Sequence, residues 1–373
     1  NGSLLHGSDR LRKGIVIMMN KHGGDIYGYP GVVDFSANIN YLGMPQAVKA
    51  AAMRGVEESV HYPQAAHRQL RYAVAKRYHI EEDQILCGNG AAELIYCLVE
   101  ALQPKRALVM APSFSEYEEA LDSCGCEVLR YLLKKEDAFC PDEGFIRQIQ
   151  PSIDMVFVCN PNNPTGGLVS ISYIEEVCRM CEKEGAILVV DESFLEFVSQ
   201  AVSARALLKK YESIVILQSF TKIYAMPGLR LGCAFCGKES MVELLQKRLQ
   251  PWNVSLPAQY AGIAAMQEKE YVEASAQLIA REREFLTEQL RLAGLENGVE
   301  LIVYEGAANF LLFYGPELLW QYCLEEGVLL RDCSNFEGLG KGWFRTAVRG
   351  HEENGRLIEA VRKACERCRQ KRR

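Results

Sequence analysis

Two apolar runs of this chain end on charged residues. Ile214 to Phe220 leads through Thr221 to Lys222, and a loop carrying Gly228, Arg230 and Gly232 follows. Ala186 to Val190 runs into Asp191. Charge at such places is costly to bury unless it is paired, so the pairing chemistry is the first question. A lysine made less basic by its site can condense with an aldehyde. A buried aspartate can hold a protonated pyridine nitrogen. Ser219, Thr221 and Arg230 can hold a phosphate dianion together with free backbone N–H groups at a helix start. Such a start exists at Cys87-Gly88-Asn89-Gly90-Ala91-Ala92-Glu93, ahead of the apolar helix Leu94 to Leu102.

The surrounding elements must bring these groups together. Arg106 to Ala111 and Met155 to Cys159 read as short apolar strands, the second ending in the rigid turn Asn160-Pro161-Asn162-Asn163-Pro164-Thr165-Gly166. Ile171 to Lys183 has helical apolar spacing and stops near Gly185. Ala186 to Val190, Ile214 to Phe220 and Leu231 to Cys236 read as further strands. Nearly continuous apolar strands separated by helices predict an α/β fold with a mostly parallel sheet covered on both faces. Functional groups then collect at the strand ends. Aldehyde, pyridine and phosphate, met by Lys222, Asp191 and the phosphate-holding set, together describe pyridoxal 5′-phosphate.

Beyond Trp252 the pattern changes. Ala258 to Leu292 is one long charged helical stretch, and Val299 to Tyr304, Phe310 to Tyr314, Val328 to Arg331 and Phe344 to Val348 read as strands among helices. The expected division is a large cofactor-binding domain over 45–255 and a smaller α+β domain made of 1–44 and 256–373.

Composition excludes several classes. With 373 residues, 49% apolar residues and a formal charge of −6, the chain reads as a globular protein without a basic stripe for nucleic acid. No apolar run approaches the roughly 20 residues that span a bilayer, and Ile15 to Met19 is too short for a signal-peptide core. Met18 or Met19 is a candidate natural start. Fourteen cysteines without a secretory signal predict free thiols in a reducing cytoplasm. The pairs Cys178/Cys181, Cys233/Cys236 and Cys365/Cys368 lack further ligands at zinc spacing, so no metal is expected.

The order GNGAAE, NPNNPTG, DE, SxTK and GxRxG resembles the fold-type I pyridoxal-phosphate enzymes of the aminotransferase class I/II group, over roughly residues 20 to 365. The resemblance implies that Lys222 is the lysine joined to the cofactor, Asp191 the pyridinium partner and Asn163 a donor to the phenolic oxygen. It places Phe114 against the ring, and Gly90, the Ala91 and Ala92 amides, Ser219, Thr221 and Arg230 around the phosphate. Tyr62, in HYPQ, resembles a tyrosine that reaches the neighbouring subunit's site, which implies a homodimer. Phe194 stands where many aminotransferases have a tyrosine.

Within the group, Lys21-His22-Gly23-Gly24-Asp25, Asp34-Phe35-Ser36-Ala37-Asn38-Ile39-Asn40, Leu330-Arg331-Asp332-Cys333-Ser334-Asn335-Phe336 and Phe344 to Arg349 resemble threonine-phosphate decarboxylases. That branch implies a small phosphorylated amino acid as substrate, O-phospho-L-threonine or phosphoserine, in corrinoid biosynthesis. Arg345 is then expected on the carboxylate, and Arg331 on the substrate phosphate with Tyr62, His22 and Asn40. The alternative branch is histidinol-phosphate aminotransferase.

Overall fold

The structure is a computed structural model that describes residues 22–372; Lys21 and the candidate starts Met18 and Met19 lie outside them. Thirteen strands occur among the described residues, in chain order β1 (Val33–Asp34), β2 (Ile85–Gly88), β3 (Arg106–Ala111), β4 (Glu127–Leu132), β5 (Met155–Cys159), β6 (Ile187–Asp191), β7 (Ile214–Ser219), β8 (Gly232–Cys236), β9 (Ile302–Val303), β10 (Phe310–Tyr314), β11 (Val328–Leu329), β12 (Arg331–Asp332) and β13 (Trp343–Ala347).

Seven of them form the central sheet in the order β2-β8-β7-β6-β5-β3-β4. Strand alternation divides its interior between two apolar layers. Val156, Val158, Leu188, Val190, Ile214 and Ile216 face one, while Met155, Phe157, Val189, Val215 and Leu217 face the other. Burying both faces is what makes these strands apolar throughout. The helix Ile171–Glu184 begins where Ser170 accepts a hydrogen bond from Tyr173 N at 3.2 Å and ends at Gly185 with φ +81. Ser at the first cap and a left-handed Gly at the last are the expected stops.

The fold is α/β with a mostly parallel sheet, as the strand pattern indicates, but β8 runs antiparallel to both β2 and β7. Its all-apolar run reports burial on both faces, not direction. Strands β2 and β4 were not anticipated. β2 is four residues long and merges into the glycine turn; β4 lies at the sheet edge and is only partly buried, so it lacks an apolar run. The expected single helix over Ala258 to Leu292 is two helices, Leu256–Ala265 and Lys269–Asn297. The predicted strand Val299 to Tyr304 shortens to Ile302–Val303.

A second sheet has the order β12-β13-β10-β9. β1 pairs in parallel with β11, so the segment after residue 22 is tied to the C-terminal part of the chain. No helix among the described residues is long and apolar enough to cross a membrane.

Candidate active site

The ends of β5, β6 and β7 lie side by side, with Cys159 in register with Asp191 and Asp191 with Leu217, two residues before Ser219. Around these ends one cavity is lined by Ala91, Ala92, Phe114, Cys159, Asn163, Asp191, Ser193, Phe194, Ser219, Lys222 and Arg230. Groups that are distant in sequence therefore converge because parallel strands end on one edge of the sheet.

Lys222 sits in a short helix, Phe220–Ile223, capping β7. Its Nζ donates to Thr221 Oγ1 at 3.0 Å, and the Ser219 and Thr221 hydroxyls are 2.7 Å apart. Burial first, then the Arg230 charge, bring the Lys222 amine down to about 8, against the opposing pull of Asp191. That is the direction a nucleophilic amine requires.

Asp191 is 4% exposed. Its Oδ2 accepts from the Tyr117 hydroxyl at 2.7 Å and its Oδ1 from Ser193 N at 2.9 Å. Gly90, with φ +87, opens the helix Ala91–Leu102. A Cβ there would lie 2.3 Å from Arg230 Nη2, so the guanidinium occupies space that only glycine leaves. Glu93 Oε2 accepts from Asn89 N at 2.7 Å and Asn253 Nδ2 at 2.6 Å, bracing the turn.

Two buried arginines, Arg345 and Arg331, stand outside the lining of this cavity. Arg345 donates through Nη1 to Asn163 Oδ1 and through Nη2 to Ser36 O at 2.8 Å. Burial is the main cause that lowers its basicity, to about 10. Arg331 donates to Asp332 O at 2.6 Å and to Asn335 Oδ1 at 2.7 Å. It lines a second cavity of about 440 Å³, with His22, Asp25, Tyr29, Ser36, Ser334 and Asn335 among its walls. His22 Nε2 lies 2.9 Å from Glu116 Oε1.

Three expected substrate residues line neither cavity: Arg345, held by its bonds to Asn163 and Ser36, and Asn40 and Tyr62. Asn40 lines neither cavity; its Nδ2 donates to Ile223 O at 2.9 Å and Ser275 Oγ at 2.8 Å, and its Oδ1 accepts from Leu42 N at 3.2 Å. It braces the segment that carries Lys222, whose carbonyl accepts from Asn40 N at 3.1 Å. Tyr62 is 78% exposed and stacks on Trp252 at 4.6 Å, apart from both cavities of its own chain. Tyr117, Cys159 and Ser193 were missed by the sequence reading. Only Tyr117 carried a signal, an aromatic three residues after Phe114 and hence on the same side of a helix start.

A mostly parallel sheet with a lysine, an aspartate and an anion cradle at its strand ends defines a pyridoxal-phosphate enzyme of fold type I. Residues 30–361 match the aminotransferase class I and II family, to which the chain belongs. It is 32% identical over 359 residues to the threonine-phosphate decarboxylase of Salmonella typhimurium, covering 93% of this chain and 97% of that one. Among solved structures, the histidinol-phosphate aminotransferase of Clostridium acetobutylicum matches with TM-score 0.83 and 28% identity, over 89% of this chain and 99% of that one. The L-threonine-O-3-phosphate decarboxylase of Porphyromonas gingivalis matches with TM-score 0.77 and 26% identity, over 88% and 98%.

The protein is therefore a pyridoxal-phosphate-dependent enzyme. The donor set fits that cofactor: an amine of lowered basicity, a buried carboxylate lining the same cavity, and a glycine cradle closed by a guanidinium.

Proposed function

We propose that this enzyme decarboxylates O-phospho-L-threonine, or a close relative such as phosphoserine, to the aminoalkyl phosphate used in corrinoid biosynthesis. The observation that carries this reading is the pair of buried arginines, Arg331 and Arg345, in direct register between β12 and β13. A substrate bearing a carboxylate and a phosphate needs two such cations at a fixed separation, and a guanidinium meets either group with two parallel hydrogen bonds.

Lys222 would attach the cofactor, Asp191 would face its ring nitrogen, Asn163 its phenolic oxygen and Phe114 its ring. Ser219, Thr221, Arg230 and the Ala91 and Ala92 amides that follow Gly90 would hold its phosphate. When bound, the cofactor supplies the electron sink for the bond broken at the substrate Cα. Arg345 holds the carboxylate and Arg331, with His22, the substrate phosphate. Fixing both ends sets which Cα bond stands perpendicular to the ring, so positioning selects the reaction. The carboxylate leaves as carbon dioxide with its bonding pair retained at Cα, and the Lys222 ammonium returns a proton to that carbon.

The active unit is a homodimer in which Tyr62 reaches the partner's site. Met53, Val56, Val60, Tyr62 and Trp252 are large apolar residues exposed on the single chain, as a covered face requires. In the proposed division, the large domain of residues 45–255 supplies every described residue that lines the cofactor cavity, and the small one of 1–44 with 256–373 every described residue that lines the Arg331 cavity.

The alternative is amino transfer from histidinol phosphate to 2-oxoglutarate, supported by the similarity to the Clostridium acetobutylicum enzyme. Carbon dioxide release from phosphothreonine without any keto acid tests the proposal. No release, with keto-acid-dependent turnover of histidinol phosphate, establishes the alternative.

A further inference from the structure

Asp191 has a partner that the roles above leave unused. Tyr117 lies on the helix Glu116–Ser123, is fully buried, and directs its hydroxyl at Asp191 Oδ2 over 2.7 Å. The ring is held independently of that hydroxyl. It stacks on Phe157 at 4.8 Å and 17°, and meets Phe114 edge-on at 5.6 Å. A phenylalanine would keep both contacts, so packing accounts for the ring but not for the hydroxyl. A buried hydroxyl is costly without an acceptor, and here the acceptor is the carboxylate.

We propose that Tyr117 is a positioning residue that donates to the Asp191 carboxylate and fixes its orientation, so that the proton shared with the cofactor's ring nitrogen stays on the nitrogen. This rests on Asp191 facing that nitrogen, as proposed above. Each carboxylate oxygen has two acceptor positions. Tyr117 takes one on Oδ2 and Ser193 N one on Oδ1, which fixes the rotation of the group and leaves acceptor positions for the ring. A donor to a carboxylate stabilises its charged form and lowers its proton affinity. Without the hydroxyl, the proton of the ring–carboxylate pair shifts toward Asp191, and the ring loses the positive charge that makes it an electron sink. Burial and the adjacent Asp191 charge push the Tyr117 phenol well above its ordinary range, so it remains a donor at any working pH. Cys159 directs its thiol to Pro161 O at 3.4 Å and also lies against the Tyr117 hydroxyl, which donates to Asp191.

The test uses the holoprotein loaded with cofactor labelled with 15N in the ring. In Tyr117→Phe the ring-nitrogen signal is expected to move from the protonated toward the unprotonated range, and cofactor affinity to fall about tenfold, the loss of one hydrogen bond to a charged group. The variant should still fold because the ring contacts persist, with a thermal midpoint lowered only by the lost hydrogen bond and the weaker cofactor binding. If Tyr117→Phe does not fold, 3-fluorotyrosine at position 117, a stronger donor of nearly the same size, moves the signal further toward the protonated range. A signal and affinity equal to those of the unaltered holoprotein overturn the proposal. Unaltered protein that stays colourless with the cofactor would instead overturn the underlying site assignment.

Discussion

Arg331 and Arg345 stand directly opposite one another across β12 and β13. Like charges in that position oppose each other, and each arginine is only 6% exposed. Arg345 shows the consequence, its basicity lowered by burial and further by Arg331. Two cations are therefore held close in a place that an anion with two charged ends would relieve.

The two arginines should fail differently. Arg345→Lys replaces a forked donor with a point charge at the proposed carboxylate site. We expect kcat/KM for phosphothreonine to fall about a hundredfold, mostly in kcat, as for a lost transition-state contact of about 2.7 kcal/mol. Arg331→Gln should chiefly raise KM, because its proposed contact, the substrate phosphate, would be held equally in ground and transition states. Steady-state kinetics on both variants separate the effects.

The Lys222 amine predicts a pH dependence with a definite sign. Its folded value, about 8, lies below the ordinary lysine value. Between these two values the unfolded chain binds more protons than the folded one, so cofactor-free protein should gain stability as pH rises through that window. Lys222→Met should lack this rise, which denaturant midpoints near pH 7 and near pH 10 would reveal. Cofactor capture, which needs the neutral amine, should accelerate as pH climbs through about 8; a flat rate would contradict the assignment.

Asn40 separates a scaffold role from a substrate role. Its side chain makes three hydrogen bonds within the fold. Asn40→Ala leaves Ser275 Oγ and the Ile223 carbonyl without that donor and should destabilise the protein by about 2–3 kcal/mol. KM for phosphothreonine should change less than threefold, as measured on folded protein. A large KM increase at unchanged stability would return Asn40 to the substrate.

Asn40 also shows where the sequence stops being legible. The strand ends were readable because parallel strands buried on both faces advertise themselves as apolar runs, and Asp191, Lys222 and Asn163 stand at or just beyond their ends. The edge strand β4 and the reversal of β8 were not readable, since hydrophobicity reports burial rather than direction. Contacts such as Tyr117 with Asp191, 74 residues apart, or Asn40 with Ser275, 235 residues apart, depend on tertiary register that no local pattern encodes. An Asn in DFSANIN looks the same whether it binds a ligand or braces a loop.

Gly90 tests the phosphate cradle. Gly90→Ala places a methyl 2.3 Å from Arg230 Nη2 and forces alanine to φ +87. The guanidinium must move, so cofactor affinity should fall at least about tenfold, while strain at positive φ costs about 1 kcal/mol or more of stability. Equilibrium dialysis against the cofactor reads the first and thermal denaturation the second.

Phe194 carries the last prediction. It is buried at 6% exposure, lines the cofactor cavity and packs edge-on against Phe310 at 5.0 Å. It offers no hydrogen-bond donor, so Asn163 is left as the side-chain amide expected at the cofactor's phenolic oxygen. Phe194→Tyr adds a hydroxyl within the cavity, where the resemblance places that oxygen. A second donor there stabilises its negative charge and should shift the pH dependence of the bound cofactor's visible absorbance toward lower pH. The extra hydroxyl also restores the residue type common in aminotransferases. Incubation with amino acid should then bleach the visible band faster than in the unaltered enzyme, while carbon dioxide release per turnover declines. Unchanged absorbance and an unchanged ratio of decarboxylation to amino transfer would show that this position does not set the reaction, leaving Arg345 as the selecting group.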